Sequence, residues 1–114
     1  MNGRIIVSKN NLVHNLSEIK KYAKNSKIMS VIKSDGYGHG ILEVASALED
    51  SDAYAVATIK EAVHLRKNKV KKEIVCLQGF SNKEEAQYCS KNNIRPVIHC
   101  SEQICIIKET SFDL

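Results

Sequence analysis

Residues 31 to 40 read Val-Ile-Lys-Ser-Asp-Gly-Tyr-Gly-His-Gly, an apolar run that ends in a lysine and passes into glycine at every second position. An amine at the end of a strand has a fixed place, and kept dry it becomes a nucleophile toward a carbonyl group. Gly36, Gly38 and Gly40 let the backbone approach a ligand closely. A loop of free N–H groups leading into a helix suits an anion. Tyr37, four residues past Lys33, adds a phenol able to donate to a phosphate oxygen. The spacing is not the dinucleotide fingerprint, whose third glycine would fall where Ile41 stands, and no Gly-Lys-Ser/Thr follows to make a P-loop. The residues alone therefore leave two readings of Lys33. One is a covalent catalyst beside an anion loop; the other is a strand-terminal lysine reaching out to solvent.

The surrounding pattern predicts the elements that hold these groups. Residues 27 to 33 form a strand with Met29, Val31 and Lys33 on one face and Ile28, Ser30 and Ile32 on the other. A helix comes next, with Ile41, Val44, Ala45 and Leu48 on one side. Residues 53 to 59 are nearly all apolar and suit a parallel strand covered on both faces. Thr58-x-x-Glu61 is a capping box for a helix through Ala62 and Leu65. Residues 73 to 77 then form a strand, Gln78-Gly79-Phe80 a turn, and Ser81-x-x-Glu84 a second capping box. The helix after it carries Ala86 and Cys89 and ends near Asn92-Asn93. Residues 95 to 99 make another strand, with Pro96 at its start, and Ser101 caps a last helix through Ile104, Ile107 and Lys108. Ahead of all this, residues 4 to 8 read as a short strand, and Asn10 as the cap of a helix with the apolar face Leu12, Leu16, Ile19 and Ala23.

Strict alternation means parallel strands joined by right-handed helical crossovers. Four units fit, with strands starting near residues 28, 53, 73 and 94. An eight-unit barrel takes roughly 250 residues, so four units are half of one. The expected fold class is α/β, the N-terminal half of a (β/α)8 TIM-type barrel: about four βα units after an N-terminal strand and helix. A fifth strand is due near residue 114. An open doubly wound sheet is the alternative. A half-barrel leaves its edge strands unpaired and its inner face open to water. Barrel enzymes keep their sites at the C-terminal mouth, where Lys33 would emerge from apolar packing that favours a neutral amine.

The totals narrow the classes further. At 114 residues, 43% hydrophobic and 26% charged, the chain is one globular domain or a piece of a larger one. Its first residues hold a three-residue apolar run, too short for a signal peptide or a membrane span, so a cytoplasmic protein is expected. Cys76, Cys89, Cys100 and Cys105 form no paired spacing, which argues against a metal site and for small buried hydrophobes. The net charge of +4 concentrates in residues 66 to 72, Arg-Lys-Asn-Lys-Val-Lys-Lys, without an interleaved aromatic residue. That patch reads as a solvated loop after a helix, not a nucleic-acid contact.

Residues 31 to 40 closely resemble the pyridoxal-phosphate attachment motif of bacterial alanine racemases. The resemblance runs along essentially the whole chain: Asn10-x-x-x-His14-Asn15-Leu16 is similar to that family's first helix, Ala53-Tyr-Ala-Val-Ala-Thr58 to its next strand, and Arg95-Pro-Val-Ile-His99 to a later one. Gly36 stands where alanine is commoner, a departure expected to loosen the loop. The resemblance implies that residues 1 to 114 are part of the family's N-terminal pyridoxal-5′-phosphate-binding barrel domain, normally fused to a C-terminal β domain in a homodimer. It implies that Lys33 holds the cofactor and then serves as one of two bases exchanging the α-proton of alanine, while Tyr37 contacts the phosphate. His39 would fix the loop or be structural. The second base, a tyrosine of the partner's C-terminal domain, has no counterpart here, so the 114 residues alone are expected to be inactive. Tyr54, His64 and Tyr88 read as packing or surface residues, and His99 as a candidate neighbour of the site. A cofactor-binding homeostasis protein without turnover and an inactive remnant are the competing readings, and a separate C-terminal fragment is a candidate partner.

Overall fold

The computed structural model describes Gly3 and residues 6 to 110. The four predicted strands form, each shortened to its paired core: β1 (Met29–Val31), β2 (Ala53–Val56), β3 (Glu73–Cys76) and β4 (Ile94–Pro96). All pair in parallel in the order β1-β2-β3-β4. Between and around them lie helices α1 (Lys9–Tyr22), α3 (Ile41–Ala47), α4 (Ile59–Lys67), α5 (Lys83–Lys91) and α6 (Ser101–Glu109), with one short turn, α2 (Lys33–Tyr37).

Register decides between the two sheet architectures. Ser30, Tyr54, Ile74 and Ile94 are partners across the four strands and so share a face, along with Ile32, Val56 and Cys76. That face forms one core with Ile41, Val44 and Ala45 of α3, Ala62 and Leu65 of α4, and Cys89 of α5. Three successive crossover helices thus lie on one side, which is barrel geometry; a doubly wound sheet covers both. The opposite face carries Met29, Val31, Ala53, Ala55, Glu73, Val75 and Arg95. Met29 and Val31 there are 45% and 39% exposed, whereas the small Ala53 and Ala55 are sheltered by their neighbours. Arg95 Nε pairs with Glu73 Oε1 across this open face at 2.8 Å.

Several boundaries shift. The first helix is capped by Ser8, whose hydroxyl accepts from Asn11 N–H at 3.2 Å, not by Asn10. It packs mainly on α3, so Leu16 is buried, Leu12 half-buried and Ile19 left 53% exposed. The box at Thr58 and Glu61 forms as expected. The next helix is capped one residue late, by Asn82 accepting from Glu85 N–H at 2.8 Å. Ser101 is the first residue of α6, after Cys100. Pro96 closes β4 and does not start it; the pairing with β3 continues through Val97 N–H to Cys76 O at 2.9 Å. Of the four cysteines only Cys76 and Cys89 are buried, because Cys105 lies on the exposed side of α6. The expected strand at residues 4 to 8 lies partly outside the described residues, and the part within them, 6 to 8, is irregular. The fifth strand due near residue 114 lies outside them as well.

The basic patch is not wholly solvated. Arg66 donates from Nε to Asn92 O (3.0 Å), from Nη1 to Val70 O (2.7 Å) and Lys72 O (2.8 Å), and from Nη2 to Asn93 O (3.0 Å). Burial pulls its guanidinium below the ordinary pKa. Lys72 reaches back to Glu49 O at 2.5 Å and sits 5.5 Å from the centre of the Tyr54 ring.

Tyr54 is buried and donates its hydroxyl to Ala45 O. Burial, with Glu49 and Asp50 adding to it, pushes the phenol up to about 12, and burial pushes the Cys89 thiol up to about 12 as well. Both acids are held neutral by the fold, so unfolding releases protons once pH passes their ordinary values of 9.0 and 10.0. Their contribution to stability is therefore full below pH 9.0 and is lost as pH rises toward about 12. Urea midpoints across that window should show the decline, and Tyr54→Phe should remove the part that begins at pH 10.0.

Candidate functional site

The C-terminal ends of the strands gather Lys33, Thr58, Gly79 and His99 at one mouth of the sheet. Pairing of β1 runs one residue past the strand, since Ile32 N–H donates to Ala55 O at 2.9 Å and the Ile32 side chain is fully buried. Lys33 is thereby delivered to the rim of the sheet, half-buried. Its position is fixed by backbone pairing, with Val31 before it lying on the open face.

Residues 34 to 37 are neither extended strand nor loose loop. Their φ angles are 56, 55, 65 and 58°, one turn of left-handed helix. Side chains pay about 1–2 kcal/mol per residue there, and three of the four positions, Ser34, Asp35 and Tyr37, are not glycine. Hydrogen bonds hold the turn: Gly36 N–H to Ile32 O and Gly38 N–H to Ser34 O, both 2.9 Å, and Gly40 N–H to Asp35 O at 2.8 Å. Gly36 is buried, and a Cβ on it would stand 2.9 Å from Val44 Cγ2. Glycine here does not loosen the loop; it lets the turn press on α3. Tyr37 emerges from the turn 59% exposed, and His39 is exposed, with its N–H on Gly36 O at 3.2 Å.

Two carboxylates fasten the turn to its surroundings, Asp35 from within it and Glu61 from α4. Asp35 Oδ1 accepts from Ile41 N–H at 2.8 Å, and Asp35 N–H donates to Glu61 Oε2 at 3.4 Å. The sequence pattern announced Glu61 only as a helix cap and did not single out Asp35. At the far side of the mouth, His99 Nε2 lies 3.0 Å from Gln78 O, and His99 N–H donates to Gln103 Oε1 at 2.7 Å. The buried Gln103 in turn donates to Phe80 O at 3.2 Å. His99 is thus at the mouth, as expected, yet its contacts tie the loop after β3 to the one after β4. Gln103 had no sequence signal beyond its helix position. Tyr54 and Tyr88 pack in or against the core, and His64 lies exposed on α4, away from the mouth.

Gly79 sits in that second loop with φ +71°, where a Cβ would collide with Val97 O and stand 2.6 Å from Gln103 Nε2. Gly79→Ala should cost about 2 kcal/mol from backbone strain and overpacking, measurable as a lowered urea midpoint. An unchanged midpoint would mean that the two loops are not in contact in solution.

The profile of the family described as "Alanine racemase, N-terminal domain" matches residues 7–112. The chain belongs to this family. Among named relatives, the alanine racemase of Coxiella burnetii (strain CbuG_Q212) is 44% identical over 100 residues, covering 88% of this chain and 28% of the relative. Among solved structures, the alanine racemase of Acinetobacter baumannii superposes with a TM-score of 0.86 at 29% identity, over 90% of this chain and 31% of that one. A histidine racemase from Leuconostoc mesenteroides subsp. sake NBRC 102480 superposes with a TM-score of 0.80 at 28% identity, over 90% of this chain and 28% of its own. The chain thus spans less than a third of the length of these relatives. Within the alanine racemase family the open parallel sheet is the N-terminal half of a TIM-type barrel. No helix among the described residues is long and apolar enough to cross a membrane.

Proposed function

We propose that residues 1 to 114 are a partial N-terminal barrel domain of an alanine racemase, in which Lys33 carries pyridoxal 5′-phosphate covalently. The carrying observation is the place of Lys33: a primary amine at the C-terminal end of a barrel strand, in a stretch that resembles the family's attachment motif. The donor set fits the group. The lysine supplies an amine for an aldehyde, and the exposed Tyr37 hydroxyl, one left-handed turn on, supplies a donor for a phosphate oxygen.

When bound, pyridoxal phosphate delocalises the negative charge left on a substrate carbon that loses its proton. The chain's part is to place groups. Lys33 Nζ would take or return the α-proton on one face of alanine. Tyr37 would hold the phosphate through its hydroxyl. The backbone of β1 and β2 fixes the origin of the lysine through the Ile32–Ala55 hydrogen bond. Inversion needs a second group on the opposite face, supplied by the rest of a homodimeric enzyme or by a separate C-terminal fragment. The remaining barrel strands would also cover Met29 and Val31. The setting is cytoplasmic, and the product is D-alanine for the cell wall.

Incubating the chain with pyridoxal phosphate, reducing with borohydride and mapping peptides by mass tests the reading. Label should concentrate on Lys33. Label spread over the surface lysines in proportion to their exposure would refute it.

A further inference from the structure

Five consecutive residues with positive φ, 34 to 38, persist only where their surroundings over-determine them. Bonds inside the turn, such as Gly38 N–H to Ser34 O, close it but do not say where it stands. Gly36 N–H to Ile32 O at 2.9 Å ties it back to the end of β1, and the side-chain bonds that leave it converge on Asp35. Its carbonyl accepts from Gly40 N–H and its carboxylate from Ile41 N–H, both at 2.8 Å, which fastens the turn to the start of α3. Its N–H points the other way, to Glu61 Oε2 at 3.4 Å. Glu61 is itself held, because Oε1 accepts from Ala57 N–H at 3.0 Å and Thr58 N–H at 3.2 Å, just past the end of β2. A helix cap alone would use only that first oxygen. The second oxygen carries the connection over 26 residues to the turn.

We propose that Asp35 and Glu61 are positioning residues, whose carboxylates clamp the left-handed turn between α3 and the end of β2 and so set the placement of the Lys33 amine and the Tyr37 hydroxyl. The effect on Lys33 rests on its reading as the cofactor lysine; the clamp itself does not.

The test uses the 114-residue chain with two readouts, amide hydrogen exchange and reductive labelling of Lys33 by pyridoxal phosphate, with the exposed Lys24 and Lys67 as internal reference. Losing a hydrogen bond to a charged group corresponds to about a tenfold change. Asp35→Ala should therefore speed exchange at Ile41 about tenfold and lower Lys33 labelling relative to the reference lysines by a similar factor. Asp35→Asn, which keeps the side-chain acceptor, should restore both. Glu61→Ala should speed exchange at the Asp35 amide and lower Lys33 labelling, and Glu61→Gln should do the same more weakly. Asn82→Ala removes the cap of α5, which touches neither Asp35 nor Glu61, and should leave Lys33 labelling as it was. Protection of the Ala55 amide reports that each variant is folded, and the Asn and Gln variants decide the matter if an alanine variant is not. Lys33 labelled equally in the unsubstituted chain, Asp35→Ala and Glu61→Ala would overturn the positioning role. If even the unsubstituted chain leaves Lys33 unlabelled, the cofactor reading fails, and exchange at Ile41 and Asp35 alone decides whether the clamp exists.

Discussion

Lys33→Ala should take up no pyridoxal phosphate that survives dialysis and borohydride reduction beyond the background of the other lysines. The loss is complete because no other group at the mouth supplies an amine on a fixed strand end: the hydroxyl of Tyr37 and the imidazole of His99 cannot form that bond. Lys33→Arg should fail equally, since a guanidinium stays charged at any accessible pH and is no nucleophile. Stability should move little. The side chain is half-buried and makes no ion pair or side-chain hydrogen bond among the described residues, so removing it falls within about 0.5 kcal/mol. Absorbance of the dialysed protein and a urea midpoint on the same sample therefore separate chemistry from folding. Retained cofactor in Lys33→Ala would move the attachment point to another lysine.

The second large effect is structural and lies at the other end of the sheet. Arg66→Ala should lower stability by about 3 kcal/mol, a large share of what a domain of this size possesses. Four carbonyls, of Val70, Lys72, Asn92 and Asn93, receive one guanidinium. They come from the segment entering β3 and the end of α5, so the arginine joins consecutive units where the chain turns back into the sheet. Removing it leaves partly buried acceptors without a donor, which costs more than the bonds contribute. Arg66→Lys should recover less than half, because an ammonium cannot spread its donors over four oxygens. A urea midpoint unchanged in Arg66→Ala would show that water replaces the guanidinium freely.

Arg66 shows where reading a chain residue by residue stops. In the sequence it is the first of five basic residues in seven and looks like any solvated cation at a helix end. Its partners lie up to 27 positions away, and nothing in the local pattern encodes that return. Gly36 is the reverse case. Its departure from the commoner alanine suggested slack, yet the turn buries it against Val44, a contact set by the helix packing. Caps that slipped by a residue or two, as at Ser8 and Asn82, have a humbler cause: neighbouring polar residues compete for one orphan N–H, and the strand before the helix decides which reaches it.

Local chemistry was enough to establish much of the rest. Alternation of apolar runs with capped helices predicted parallel βα units, because each element declares itself through a period of two or 3.6 residues. The lysine before the glycines, with a tyrosine four residues on, marked a candidate site and, by resemblance, the family. Tertiary structure alone decided three things. Register put every crossover helix on one face of the sheet, which makes it half of a barrel. The glycine loop became a left-handed turn, in which Asp35 bonds the start of α3 and Glu61 reaches in from α4. Met29 and Val31 were left facing water, because burial of a strand face depends on what lies opposite it, which no pattern within one strand can report.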